Sequence, residues 1–182
     1  PYIKTGAKNQ LAIRLDNPAN SSRWYPGGGI YRNVWLVKTP PVHVAHWGTY
    51  LTTPEIKPSA ATVSLKVAID NDSAKSATVR VSTRIFLLDA NGNKTGASVA
   101  QIGPANVTIE AGKSAVTEGR TTIANPKLWG PIPRQKPNRY VAVTSIQKND
   151  VLADTYETPF GIRTLRFDAD EGFFINRERV KL

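Results

Sequence analysis

Apolar residues alternate with polar ones at a spacing of two through most of the chain, the mark of strands with one buried face. In the run from Thr62 to Asp70, Val63, Leu65, Val67 and Ile69 point one way, while Ser64 and Lys66 point the other. Val79, Val81, Thr83, Ile85 and Leu87 repeat the pattern, and Asp89-Ala90-Asn91-Gly92 then supplies a turn. Further runs are Val42–Thr52, Val107–Glu110, Ser114–Ile123, Arg139–Gln147 and Val151–Thr158, with Asn149-Asp150 as the short connection before the last. Helical periodicity is nearly absent, and 13 Gly and 13 Pro punctuate the chain into short segments.

About seven strands between residues 40 and 161, with turns at sandwich-like spacing, predict an immunoglobulin-like or fibronectin-like β-sandwich. A β-barrel is the structural alternative. The two flanks do not fit that domain. Residues 1–39 offer a strand at Gln10–Asp16, a polar loop with Gly27-Gly28-Gly29, and a second strand from Ile30 to Val37. Two strands and a loop cannot build a core alone, so this reads as the last part of another β domain. Residues 162–182 read as a hairpin that stops mid-phrase. Both ends look truncated, and the chain starts Pro1-Tyr2 without a signal core. Strands that have lost a parent sheet are expected to pack on the sandwich or on a second copy, as a swapped homodimer.

Composition adjusts this picture only slightly. Cysteine is absent, which excludes disulfides and thiolate metal sites. No apolar run approaches the length of a membrane helix, so no membrane partner is expected. The net charge is +10, divided as +5 over residues 1–40, +4 over 41–162 and +1 over 163–182. The basic residues are spaced apart, so the charge reads as a solvated surface and not as a nucleic-acid tail.

Three stretches carry a resemblance. The first is Asn9–Asn17 followed by Arg23-Trp24-Tyr25-Pro26-Gly27-Gly28-Gly29-Ile30-Tyr31-Arg32-Asn33-Val34-Trp35-Leu36. The second is Asn125-Pro126-Lys127-Leu128-Trp129-Gly130, with Tyr140 shortly after. The third is Phe160-Gly161-Ile162-Arg163, then Gly172-Phe173-Phe174-Ile175-Asn176-Arg177-Glu178-Arg179-Val180-Lys181-Leu182. In this order and spacing the chain resembles glycoside hydrolase family 2, the β-galactosidase-like enzymes. It departs from the pattern in a Pro-rich insertion, Pro131–Pro137, and in Phe174 and Arg177, which stand where an aliphatic residue and a glycine are common.

The resemblance implies a division of the chain: residues 1–39 as the end of a jelly-roll sugar-binding domain, 40–161 as the immunoglobulin-like sandwich, and 162–182 as the lead-in to a (β/α)₈ catalytic barrel. It implies a retaining exo-β-glycosidase as the parent enzyme, acting on terminal β-linked sugars, without a cofactor. Its two catalytic glutamates would lie in the barrel, beyond Leu182, so no catalytic residue is assigned among Glu55, Glu110, Glu118, Glu157, Glu171 and Glu178. This chain would space and brace its own sugar-binding domain and barrel. The competing reading is a free-standing carbohydrate-binding or adhesion module. A jelly-roll loop reaching the sugar pocket would be Arg23-Trp24-Tyr25, where an aromatic face suits the C–H face of a pyranose and arginine can donate to its hydroxyls. His43 and His46, at i and i+3 on a strand, point to opposite faces and cannot share a metal. A bacterial periplasm or cytoplasm is the expected compartment.

Overall fold

The computed structural model describes residues 3–4, 6–20 and 28–181. The chain divides into two compact units, Pro1–Lys38 and Thr39–Leu182.

The larger unit is all β. Seven strands form the sandwich: β1 (Val42–Lys57), β2 (Ala60–Asn71), β3 (Ala77–Leu88), β4 (Lys94–Ile109), β5 (Lys113–Ala124), β6 (Tyr140–Lys148) and β7 (Val151–Phe160). One sheet has the order β1-β2-β5 and the other β4-β3-β6-β7, antiparallel throughout. A small third sheet, β8 (Leu165–Asp168), β9 (Gly172–Ile175) and β10 (Glu178–Arg179), continues the same unit.

The alternation read from the sequence decides the core. Val63, Leu65, Val67 and Ile69 of β2 are buried, as are Val79, Val81 and Ile85 of β3 and Ala142 and Ile146 of β6. Each full burial of such an aliphatic side chain stabilises the fold by about 1.5–3 kcal/mol. Thr83 and Thr144 occupy two inward positions, and their hydroxyls satisfy each other at 2.8 Å. The sheets are also tied at an edge. The Val44 amide donates to the Asp154 carboxylate, linking β1 to β7, and Thr158 donates to the Thr49 hydroxyl.

Two strands differ from the sequence reading. β4 begins at Lys94, far ahead of Val107, because Gly96, Gly103 and Pro104 interrupt its alternation. It is an edge strand, where proline removes no ladder bond. Gly103 has φ +84°, and a Cβ there would sit 2.8 Å from the Val81 carbonyl oxygen. In β1 the pairing jumps from Val44↔Ile69 to Thr49↔Val67, so residues 45–48 bulge opposite a single residue. The bulge switches the inward phase from Val42 and Val44 to Leu51. His43 is buried and His46 is exposed.

The smaller unit does not form the two expected strands. Among its described residues neither Gln10–Asp16 nor Ile30–Val37 enters a ladder. Leu11 (77% exposed) and Trp35 (79%) lie open in the single chain. The physical reason is that a strand needs a hydrogen-bonding neighbour, and neither segment pairs with one among the described residues. A Cβ on Gly28 would strike the Leu15 side chain, so that glycine marks a close approach within this unit.

At one end of the sandwich a single buried amide joins three segments. The Asn71 side chain donates to the carbonyls of Lys75, Ile109 and Glu110, and accepts from the Ser73 amide and hydroxyl. Asn71→Ala removes all of these and leaves buried carbonyls unpaired, so urea denaturation should show a loss of about 2–4 kcal/mol. A loss under about 0.5 kcal/mol would mean that water takes over these bonds.

Candidate functional site

Among the described residues a dense set of side-chain hydrogen bonds lies where the loop between β5 and β6 meets the hairpin of β8 to β10. The loop leaves β5 through Asn125, at φ +45°, whose amide donates to the Ser59 carbonyl. Pro126 and Leu128 turn inward, and Leu128 packs against the lower core beside Ile162 and Tyr140. Tyr140, buried at the start of β6, accepts the Lys127 amide on its hydroxyl at 2.8 Å and stacks on Phe160 at 5.6 Å between ring centroids.

Trp129 is the hub. Its amide donates to the Ile162 carbonyl, and the Arg163 guanidinium lies 4.9 Å over its ring. A Cβ on Gly161 would fall 2.8 Å from the Trp129 Cβ, so only glycine lets the strand pass this close. Trp129 is half-buried and belongs to neither core cluster, which places it at the junction and not between the sheets as a core aromatic.

Asn176 locks the hairpin to this hub. Its side-chain amide donates to the Trp129 carbonyl and to Gln135 Oε1, both at 2.8 Å, and its Oδ1 accepts the Thr164 amide. Gln135 in turn donates to the Ile175 carbonyl and to the Glu178 carboxylate, both at 3.0 Å. The Pro-rich insertion, a departure from the family pattern in the sequence, therefore contributes a structural partner. Pro131 accepts the Gln135 amide through its carbonyl, which curls the insertion so that Gln135 faces the hairpin. Asn176 and Gln135 carried no assigned role in the sequence. The signal for Asn176 is its place in a two-residue turn with Arg177, where both residues have positive φ, 52° and 69°. That geometry explains why glycine is common where Arg177 stands.

A cleft of about 240 Å³ opens beside this lock, walled by Ile56, Pro58, Pro126, Leu128 and Thr164. The carboxylates lie elsewhere, mostly as partners of cations. Glu55 pairs with Lys57, Glu118 with Lys66, Glu157 with Lys94 and Glu178 with Arg134. Asp168 and Glu171 share Arg166 on an exposed turn. The Glu171 and Asp170 amides, with Arg166, hold the Asp168 carboxyl below its usual range. Among the described residues no three metal-ligating side chains cluster. Arg23, Trp24 and Tyr25 lie outside the described residues.

The comparisons with known proteins place this architecture. The family model for glycosyl hydrolases family 2 matches residues 42–163, the whole sandwich and the segment through Arg163. The chain belongs to glycosyl hydrolases family 2. Across its full length it is 40% identical to the β-galactosidase BoGH2A of Bacteroides ovatus and 32% identical to a β-glucuronidase of Formosa agariphila, covering 20% of each. Among solved structures, a Bacteroides uniformis β-glucuronidase superposes with a TM-score of 0.73 at 28% identity, over 90% of this chain and 19% of that one. This family 2 chain thus spans about a fifth of the length of the relatives it matches.

Two expectations follow. Arg177→Gly removes the strain of a side chain at φ +69°, and should raise stability by about 1 kcal/mol in urea denaturation. Burial holds the Tyr140 phenol above its ordinary value, with the Lys127 amide opposing in part. The folded state therefore keeps this proton longer than the unfolded one. The contribution is complete below the ordinary tyrosine value of about 10 and is lost as pH rises through the folded value. The urea midpoint should fall as pH rises above about 10, and Tyr140→Phe should flatten part of that slope while costing about 1 kcal/mol near neutrality.

Proposed function

We propose that this chain is the non-catalytic part of a retaining exo-β-glycosidase, a β-galactosidase, which spaces and braces the sugar-binding and catalytic domains. Membership of glycosyl hydrolases family 2 supports the reaction class. The 40% identity to a β-galactosidase over the whole chain, against 32% to a β-glucuronidase, favours galactosides. The observation that carries the bracing role is the Asn176 lock. It ties the hairpin of β8 to β10 to the sandwich through Trp129, Gln135 and Thr164.

In this reading the glutamate pair that cleaves the glycosidic bond, roughly 5 Å apart in retaining enzymes, belongs to a barrel following the hairpin. The residues of this chain fix where that barrel begins. Each bond of the lock joins groups of limited freedom: the Trp129 carbonyl, the Thr164 amide and the planar side-chain amides of Asn176 and Gln135. Such a constellation resists rotation of the hairpin about the Ile162–Thr164 segment. In the same reading Arg23, Trp24 and Tyr25 reach the sugar pocket, with an aromatic face against the pyranose and the guanidinium on its hydroxyls.

Asn176→Ala combined with Gln135→Ala in the full-length enzyme is the test. Displacement of catalytic groups by about 1 Å costs up to about a hundredfold in rate, so kcat should fall tenfold or more. Calorimetry should also separate melting of the sandwich from that of the barrel. Unchanged kcat with a single unchanged transition would remove the bracing role. Arg23→Ala should raise KM for a nitrophenyl β-galactoside, and unaltered kinetics would remove that residue from the substrate site. The isolated chain should show no turnover of the same substrate.

A further inference from the structure

The outer face of the four-stranded sheet is divided into two halves of different character. Phe86, Val141 and Val143 point outward, yet Val141 and Val143 are only 2% and 9% exposed. A roof explains this: Lys94 on β4 and Glu157 on β7 form an ion pair that reaches across β3 and β6, and Lys94 and Arg84 both lie within 6 Å of the Phe86 ring centroid. This half is closed.

The other half is open and polar. Arg80 and Arg84 stand four residues apart on β3, facing the same way, so their Cα atoms are separated by roughly 13 Å. Between them lies the small side chain of Ser82, and a depression opens beside it toward Gln101, Gly103 and Pro104 of β4. It has a volume of about 350 Å³, with Arg80, Ser82, Arg84, Gln101 and Gln147 around it. No carboxylate lines it, whereas the adjoining hollow past Arg80 has Asp150 on its rim. Among the described residues the Arg80 side chain forms no ion pair or hydrogen bond, and the Arg84 guanidinium lies over Phe86.

We propose that this depression binds an acidic oligosaccharide, with the carboxylates of uronic acid residues on Arg80 and Arg84 and sugar hydroxyls on Ser82, Gln101 and Gln147. Arginine presents a planar fork that matches a carboxylate with two parallel hydrogen bonds. The floor between the forks is hydroxyl and amide, which donate to and accept from sugar hydroxyls equally well. A single-stranded nucleic acid would call for aromatic stacking surfaces, and the open half has none. A peptide would call for apolar pockets, and the apolar half is roofed by the Lys94–Glu157 pair. The site is separate from the Asn176 lock. It rests on the glycosidase reading only in the choice of a sugar as ligand.

The test is calorimetric titration of this chain with a trimer of galacturonic acid, beside neutral galactotriose and a glutamate hexapeptide. The acidic trimer should bind at millimolar concentration or better and weaken as salt is raised. Galactotriose and the hexapeptide should bind about tenfold more weakly, since one lacks the charge and the other the hydroxyls. Arg80→Gln and Arg84→Gln should each weaken the acidic trimer about tenfold, while Lys66→Gln on the opposite sheet should not. No heat with the acidic trimer, equal binding of the hexapeptide, or unaltered binding by both arginine variants would overturn the proposal. Because the readout is binding without hydrolysis, any of these outcomes leaves the bracing role untouched, and failure of the lock variants leaves this site untouched.

Discussion

Tyr140 sits where the sandwich core and the junction share one side chain. Its ring closes the lower core with Ala61, Ile85 and Ile162, and stacks on Phe160 across the β6–β7 ladder. Its hydroxyl reaches out of that core to accept the Lys127 amide, which fixes the loop that carries Trp129. A tyrosine suits this place because it buries a large apolar face while still offering a polar tip. Phenylalanine would fill the core but leave the loop untied. With the Trp129 amide on the Ile162 carbonyl, that hydroxyl helps set where Trp129 lies, and through it Asn176 and the hairpin.

From this point outward the structure trades apolar packing for directional bonding. Inside the sheets, alternating aliphatic residues give stability without much orientation, since burial is non-directional. At the junction the apolar area is small and hydrogen bonds dominate, each needing a particular donor and acceptor. That is the appropriate means for the bracing role proposed above. Asn176 illustrates the economy of the arrangement. One planar amide satisfies two segments of the loop and one of the hairpin, so a shift of any of the three breaks bonds to the others. The same device appears at the opposite end, where Asn71 ties Lys75, Ile109 and Glu110.

The surface shows a related economy with charge. Most glutamates are matched by a neighbouring cation, and exposed pairs of this kind contribute at most about 1 kcal/mol each. Lys94–Glu157 is distinct in purpose because it covers apolar side chains across four strands. Arg80, by contrast, has no charged partner among the described residues and lines a polar hollow. Two of the spaced basic residues, Arg80 and Arg84, are set on one hollow by the alternation of β3.

The sequence by itself determined the seven strands, the inward residues of β2 and β3, the Asn149-Asp150 connection and the family. These depend on period-two alternation and turn chemistry, which are local and leave their mark on neighbouring residues. The full length of β4 and the bulge in β1 were hidden, because glycines, a proline and an inserted loop break that period while edge and bulge geometry tolerate them. The strands expected at Gln10–Asp16 and Ile30–Val37 show the opposite failure: alternation was present, but a ladder needs a partner that alternation cannot supply. Only the tertiary structure decided that Gln135 in the insertion meets Asn176, 41 residues away, and that Arg80, Ser82, Gln101 and Gln147 share one hollow. Hydrogen bonds between distant side chains are set by how the sheets stack and register, and no local pattern in the chain encodes that distance.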